Sequence, residues 1–87
     1  MATLQEAIDA FNNNELELSF KLFHELKSTN DADVLFYIGL HYKEGYGTPV
    51  DMDNALYYWK KANNKGSLDA KYRLIEITQT TSQCCKN

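Results

Sequence analysis

Few side chains in this sequence belong to the types that perform nucleophilic, acid–base or metal chemistry. His24 and His41 are far apart along the chain, and Cys84 and Cys85 are adjacent near its C-terminus, which matches no zinc-ligand spacing. No serine lies in a nucleophile elbow, and the sequence places no base beside Cys84. Scattered carboxylates alone do not make an acid–base pair. The sequence therefore predicts no catalytic residue, no metal site and no cofactor.

Glycine is confined to one segment. All four glycines and the only proline lie between Gly39 and Gly66. The Gly45-Tyr46-Gly47 triplet lacks the spacing of a phosphate-binding loop and follows a predicted helix instead of a strand. We therefore assign these glycines to packing and turns.

Charge is distributed unevenly along the chain, which has a net charge of −3. Residues 1–58 contain ten acidic side chains against three lysines, whereas residues 59–87 contain five lysines and one arginine against two acids. Such a molecule would attract a basic protein over long range and repel nucleic acid over most of its surface.

The ends of the sequence indicate a cytoplasmic protein. The first residues, MATLQEAIDAF, contain neither a basic leader nor an apolar run of signal-peptide length, and no stretch is long enough to span a bilayer. The adjacent cysteines would form a strained disulfide, so we expect reduced thiols, as in a reducing compartment.

Apolar spacing and turn residues predict five helices, over about residues 3–12, 15–28, 32–44, 52–64 and 68–80. The third is apolar nearly all round, so it is either enclosed by neighbours or carries an exposed recognition stripe. Asp51 and Asp53 suit the start of the fourth helix, Gly66 its end, and Ser67 the start of the fifth.

The sequence repeats itself weakly with a shift of 36 residues. The shift relates Ser19 to Ala55, Phe23 to Trp59, Phe36 to Tyr72 and Ile38 to Leu74. A period of this length built from paired helices indicates stacked hairpins. We therefore predict an all-α fold, a fragment of an α-solenoid with about five antiparallel helices, in one domain over residues 1–80 with a flexible tail at 81–87.

Small residues in this pattern predict a close helix–helix contact. Gly39 lies inside a helix, where it costs about 1 kcal/mol relative to alanine, so close approach of a neighbour would compensate. Ala55 and Ala62 share one face of the fourth helix and would allow that approach, with Tyr58 and Trp59 at the flanks. Tyr42 would close the end of this hairpin.

This pattern resembles the Sel-one-like repeats, relatives of the tetratricopeptide repeats. The residues that carry the resemblance are Phe36, Ile38, Gly39, Tyr42, Gly45, Gly47, Asp51, Ala55, Ala62, Gly66 and Ala70, with Trp59 one position after the family's usual tryptophan, where this chain has Tyr58. The sequence also departs from the family at Val34 and Thr48. The resemblance implies one full unit at about 31–66, a degenerate tetratricopeptide-like hairpin at about 3–30 and a capping helix at about 67–80.

The resemblance also implies a non-catalytic scaffold that binds another protein. Short stand-alone members of this family are similar to immunity proteins, and the brevity and acidity of this chain favour that role against a basic toxin such as a nuclease. The candidate partner-binding residues are Glu6, Asp9, Asp33, Tyr37, Leu40, His41 and Glu44. Tyr37, Leu40 and His41 would form a recognition stripe, or they would simply pack on an adjacent hairpin.

Three alternatives remain open at this stage. The chain could be a general adaptor or part of a larger assembly. It could associate with itself through exposed apolar ends, because solenoids need polar caps. Trp59 and the C-terminal cations (Lys60, Lys61, Lys65, Lys71 and Arg73) could also bind nucleic acid, although lysines at a helix end and a core tryptophan explain the same pattern.

Overall fold

Five α-helices make up most of the computed structural model, which describes residues 3–29 and 31–86 and, for residues 78–86, only the backbone. They are α1 (Leu4–Asn12), α2 (Leu16–Leu26), α3 (Ala32–Glu44), α4 (Met52–Asn64) and α5 (Leu68–Lys86), with a short 3₁₀ turn (Lys27–Thr29) after α2. No strand occurs in these ranges. The predicted all-α fold is confirmed.

Side-chain caps explain where the helices begin. Thr3 and Glu6 form a reciprocal capping box at the start of α1. Asp31 accepts a hydrogen bond from the amide of Asp33 at the start of α3, and Asp51 accepts one from the amide of Asn54 at the start of α4. The hydroxyl of Ser67 caps α5 by accepting from the amide of Ala70.

Predicted and observed boundaries agree for α3 and α4 and differ for α2 and α5. The regular part of α2 ends at Leu26, and the chain tightens into the 3₁₀ turn before α3. Helix α5 continues past residue 80 to Lys86, so the backbone predicted as a flexible tail is helical up to that residue. The side chains of Cys84 and Cys85, and with them the predicted state of the thiols, lie outside the described residues.

Each helix packs mainly against its neighbours in the chain, in the order α1, α2, α3, α4 and α5. The largest fully buried side chains come from three of these helices: Phe23 of α2, Leu35 and Ile38 of α3, and Trp59 of α4. Helix α3 lies between α2 and α4, which explains why apolar residues surround it.

The contact between α3 and α4 depends on Gly39. A Cβ atom at this position would lie 2.5 Å from two atoms of the Trp59 indole and 3.0 Å from the carbonyl oxygen of Ala55. The indole donates a hydrogen bond of 3.0 Å from Nε1 to the carbonyl of Phe36. The predicted close approach is confirmed, but Trp59 fills the interface itself and not its flank. Ala55 and Ala62, both fully buried, lie on the same side of α4.

Aromatic side chains close the same helix pair. Tyr42 of α3 stacks on Tyr58 of α4, with ring centroids 5.9 Å apart and planes nearly parallel at 6°. Phe36 lies against Trp59 at 6.3 Å. Tyr42 therefore has the position predicted for it, at the end of the pair where the connecting loop begins.

The loop between α3 and α4 contacts the start of α2. Gly45, Gly47 and Gly66 all have positive φ, as predicted for the turns. Gly47 also leaves no space for a side chain, because its Cβ would lie 2.7 Å from Leu16 O and from the Cα of Glu17. Positive φ and close backbone approach together require glycine here. The loop thus joins the second pair of helices to the first.

The outward side of α5 is apolar. Leu68 is 63% exposed, Tyr72 60% and Ile75 39%, whereas Ala70, on the side facing α4, is fully buried. The three exposed residues are four and three positions apart, which places them on one side of the helix. A solvating cap presents polar residues outward, whereas this side of α5 presents these three apolar residues, and the capping role predicted for α5 stays a prediction.

Candidate functional site

The predicted acidic residues are all exposed at the surface. Glu6 and Asp9 lie on α1, where Glu6 completes the capping box and Asp9 accepts a hydrogen bond from Gln5. Asp33 lies in the first turn of α3. Glu44 is the last residue of α3, and its Oε2 lies 3.6 Å from Nζ of Lys43. Asp33 and Glu44 are separated by about 16 Å along the helix axis, so they belong to different ends of α3.

The predicted stripe of Tyr37, Leu40 and His41 is internal. His41 is fully buried, and Tyr37 and Leu40 are half-buried against the core. The ring of Tyr37 stacks on Phe23 of α2 at 4.8 Å and meets Phe11 of α1 edge-on at 5.6 Å. His41 is therefore not a surface residue that a partner could touch, and the alternative of packing on the adjacent hairpin is the one that the structure shows.

A buried serine and histidine join α2 to α3. Ser19 and His41 are both fully buried, and Ser19 Oγ lies 2.7 Å from Nε2 of His41. The other ring nitrogen, Nδ1, lies 2.6 Å from the carbonyl oxygen of Tyr37. A carbonyl oxygen only accepts, so Nδ1 must carry a proton. In the neutral ring, Nε2 is unprotonated and accepts a hydrogen bond from the hydroxyl of Ser19.

Two protonation states of this pair satisfy their hydrogen bonds. Ser19 Oγ is also 2.9 Å from the carbonyl oxygen of Leu16. If His41 is charged, Nε2 donates to Ser19 and the serine hydroxyl donates to Leu16 instead. Burial lowers the pKa of His41 by disfavouring the charged ring, and the bond to the Tyr37 carbonyl partly opposes that shift. The neutral state is therefore favoured near pH 7.

The Ser19–His41 pair resembles half of a catalytic triad in composition but not in accessibility. A nucleophile must reach a substrate carbon, and neither residue is accessible to solvent. The described part of the chain contains no pocket. In this conformation the pair is a structural link between two helices.

A second histidine, His24, lies near His41, and the ring of Phe20 contacts both. His24 is half-buried, with Nε2 3.4 Å from the hydroxyl of Tyr42 and its ring edge-on to Phe20 at 4.4 Å. Burial lowers the pKa of His24, and the charges of Lys27 and His41 add smaller effects of the same sign. Burial also raises the pKa of Tyr42, with smaller contributions from Tyr58 and Asp51.

Trp59, the aromatic residue considered for stacking on nucleic acid, is inaccessible to a partner. Trp59 is fully buried and hydrogen-bonded to the backbone of α3. The exposed aromatic of α4 is instead Tyr57, 54% exposed, with the Lys61 ammonium 5.3 Å from its ring centroid. Lys61 of α4 therefore lies beside a tyrosine that the sequence analysis did not single out. The place of Tyr57 opposite Ala55 and Ala62 on the helix could have indicated its exposure.

The described residues offer neither a metal-binding cluster nor a membrane-spanning helix. No group of three histidine, cysteine, aspartate or glutamate side chains in these ranges is arranged to hold a metal ion. None of the described helices combines the length and apolar character needed to cross a bilayer.

Comparison with known proteins gives no relative. No family model, no curated protein sequence and no solved structure matches this chain.

Proposed function

We propose that this chain is a non-catalytic protein-binding module of the Sel-one-like repeat type, most specifically a small cytoplasmic immunity protein that neutralises a basic toxin such as a nuclease. The family assignment is supported by Gly39, whose missing side chain makes room for Trp59 between two helices. The repeat pattern and this contact agree, because such a repeat needs its neighbour to bury an apolar face.

The observation that carries the binding role is the exposure of the N-terminal acids. The carboxylates of Glu6, Asp9 and Asp33 face solvent, and this portion of the chain has ten acids against three lysines. A surface with one dominant sign of charge accelerates encounter with a partner of opposite charge. A basic protein is the class of partner that fits. Because His41 is buried, the contact would rest on the carboxylates and not on the predicted stripe.

The interior supports binding over catalysis. The only serine–histidine hydrogen bond among the described residues is inaccessible. A nucleic-acid partner is disfavoured by the acidic N-terminal portion and by the burial of Trp59, which removes its ring from stacking.

The test is rescue from toxicity and its dependence on charge. A toxin-like reading frame beside the gene would be expressed with and without this chain, and binding of the two products would be measured by calorimetry at two salt concentrations. We expect rescue of growth and an affinity that falls as salt rises. Absence of such a frame, or failure to rescue, would contradict the immunity role.

Charge neutralisation locates the surface. A triple variant, Glu6→Gln, Asp9→Asn and Asp33→Asn, should weaken binding at least tenfold, about 1.4 kcal/mol, mainly through slower association. The matched control removes the same number of negative charges at other exposed positions, with Glu17→Gln, Glu25→Gln and Asp53→Asn. If the two triple variants weakened binding equally, net charge alone would be responsible, and the surface that carries Glu6, Asp9 and Asp33 would not be the binding site.

A further inference from the structure

The contact between α2 and α3 joins the first helix pair, α1 and α2, to the rest of the chain. In the described residues, both side-chain hydrogen bonds that cross this contact use a histidine: Ser19 with His41 at 2.7 Å, and Tyr42 with His24 at 3.4 Å. The side-chain hydrogen bond between α3 and α4 instead runs from the Trp59 indole to a backbone carbonyl. Neither of those two groups titrates near neutral pH, whereas histidine does. The two contacts should therefore respond differently to acid.

Uncharged groups surround the buried His41. Rings from α1, from α2 and from the loop after α3 have centroids within 6.0 Å of the imidazole: Phe11, Phe20, Phe23 and Tyr46. The two ring nitrogens meet the hydroxyl of Ser19 and the carbonyl of Tyr37. Burial in this site lowers the pKa of His41, and the Tyr37 carbonyl only partly opposes the shift.

His24 contacts the same phenyl group and lies near positive charge. The ring of Phe20 is 4.4 Å from that of His24, so one aromatic side chain contacts both histidines. Rings of α3 and α4 also contact His24: Tyr42 and Tyr58. Burial lowers the pKa of His24, and the charges of Lys27, in the 3₁₀ turn, and of the other histidine lower it further.

No negative charge compensates a proton at this contact. Neither histidine forms an ion pair with a carboxylate in the described part of the chain. Tyr42 stays neutral, because burial, with smaller effects of Tyr58 and Asp51, raises its pKa. Two protons bound while the helices are in contact would place two uncompensated positive charges beside the Phe20 ring. Separation of α2 from α3 would return both imidazoles to water and remove that cost.

We propose that the contact between α2 and α3 is a pH-sensitive joint, which opens when His24 and His41 bind protons and releases the first helix pair while α3 and α4 stay together. The pair moves about the 3₁₀ turn at Lys27–Thr29, the short connection between α2 and α3. Opening gives solvent access to His41 and to the ring of Tyr37, which stacks on Phe23 of α2 in the closed form. This inference is independent of the proposed function, because it concerns an internal contact and not the acidic surface.

The sign and the size of the response follow from proton binding. The open form has the higher proton affinity, so the closed form is favoured above about pH 6.5 and loses that advantage as the pH falls. Release of two histidines raises the ratio of open to closed form by at most about a hundredfold per pH unit, and release of one by at most about tenfold.

Energy transfer from Trp59, the only tryptophan, to a dye on the first helix pair tests the opening. The acceptor is attached to Asn13→Cys, an exposed position between α1 and α2, in a chain with Cys84→Ser and Cys85→Ser. Between about pH 7.5 and about pH 5.5 the transfer efficiency should fall. The emission maximum of the unlabelled chain should stay constant, because α3 still covers the indole.

A dye on the other part of the chain provides the control. Lys71→Cys, an exposed position on α5 in the same cysteine-free background, should keep its transfer efficiency over this pH range. Constant transfer from Trp59 to the dye at position 13 would overturn the proposal. A fall that is accompanied by a red shift of the Trp59 emission would also overturn it, since the chain would then unfold as a whole.

Removal of the histidines tests the cause. A chain with Ser19→Ala, His41→Leu and His24→Gln lacks both titrating groups, so its transfer efficiency should not change over the same range. If circular dichroism shows that this variant does not fold, His24→Gln alone is the test, because it should reduce the pH dependence of the opening by up to about tenfold per pH unit. Parent-like pH dependence in the folded variant tested would show that other groups open the contact and would overturn the proposal.

Discussion

Helices α3 and α5, which the 36-residue shift of the sequence relates to each other, have opposite environments. Each packs one side on the preceding helix: His41 of α3 is hydrogen-bonded to Ser19 of α2, and Ala70 of α5 is fully buried beside α4. They differ on the outer side, where α4 covers Phe36 and Gly39 but Tyr72 and Ile75 remain exposed. The difference shows that burial here follows from whether a further helix is present, because the apolar character of the two sides is similar.

The largest effect should come from removing the side chain that covers α3. Trp59→Ala should destabilise the protein by about 3–5 kcal/mol, since it leaves a large cavity against α3 and removes the hydrogen bond to Phe36. Tyr72→Ala on the uncovered side should change stability by less than about 0.5 kcal/mol at concentrations where the chain is monomeric. Urea unfolding followed by circular dichroism measures both. Similar losses for the two variants would remove the distinction between covered and uncovered sides.

Adding one methyl group to α3 should test how closely α4 approaches it. Alanine is the better helix former by about 1 kcal/mol, yet Gly39→Ala would place a Cβ atom 2.5 Å from a buried indole that has no space to withdraw. We expect a net destabilisation of about 1–3 kcal/mol in urea unfolding.

Ile75→Ala places the same residue, alanine, at the position of α5 that the 36-residue shift relates to Gly39. The Ile75 side chain is 39% exposed, so its truncation should lower the free energy of unfolding by less than about 1 kcal/mol. A stabilised Gly39→Ala variant would show that α3 and α4 are farther apart than in this structure.

Stability should also depend on pH through the inner side of α3. The pKa of His41 is lowered from 6.5 by burial, so the unfolded chain binds a proton at a higher pH than the folded chain. The stabilisation that neutral His41 gives to the folded chain is therefore complete above about pH 6.5 and is lost as the pH falls toward the folded-state pKa. For one histidine, the free energy of unfolding changes by at most about 1.4 kcal/mol per pH unit. Urea midpoints between about pH 7.5 and pH 5.5 measure it.

Two variants separate the histidines. Ser19→Ala with His41→Leu replaces both hydrogen-bonding partners by apolar groups and should remove most of this pH dependence. His24→Gln should remove less, since His24 is only half-buried, although its pKa is lowered as well. A double variant with the full pH dependence of the parent would show that His41 is not the group responsible.

The smallest effect should be on the outer side of α4, which belongs to neither compared surface. Lys61→Gln removes a cation 5.3 Å from the Tyr57 ring and should change stability by about 0.5 kcal/mol or less. Thermal unfolding of this variant beside Lys60→Gln, an exposed lysine on the same helix, provides the measurement and its reference. A loss above about 1 kcal/mol would mean that Lys61 contributes to packing.

Helix positions could be predicted from the sequence because their signals are local. Asp31, Gly45 and Asp51 fix three boundaries through hydrogen bonds or backbone angles that involve only nearby residues. The end of α5 was placed too early because the polar composition after residue 77 was interpreted as a tail.

The directions in which side chains face could not be predicted equally well. Apolar residues surround α3, so its periodicity does not indicate which side meets α2. The sequence therefore leaves open whether His41 lies in a surface stripe or, as observed, packs inside, where it bonds Ser19. The same ambiguity placed Trp59 beside the interface with Gly39 and not in it. The positions of His41 and Trp59 both depend on contacts between different helices. The pattern of residues within one helix carries no information about such contacts.

The single indole of the molecule also makes it a built-in optical reporter. Trp59 is shielded from water and bonded to the Phe36 carbonyl, so its emission should be blue-shifted while α4 remains on α3. Separation of these two helices would expose the ring and shift the emission to longer wavelength even if α1 and α2 stayed intact. Fluorescence and circular dichroism recorded together would therefore tell local opening of the second helix pair from unfolding of the whole chain.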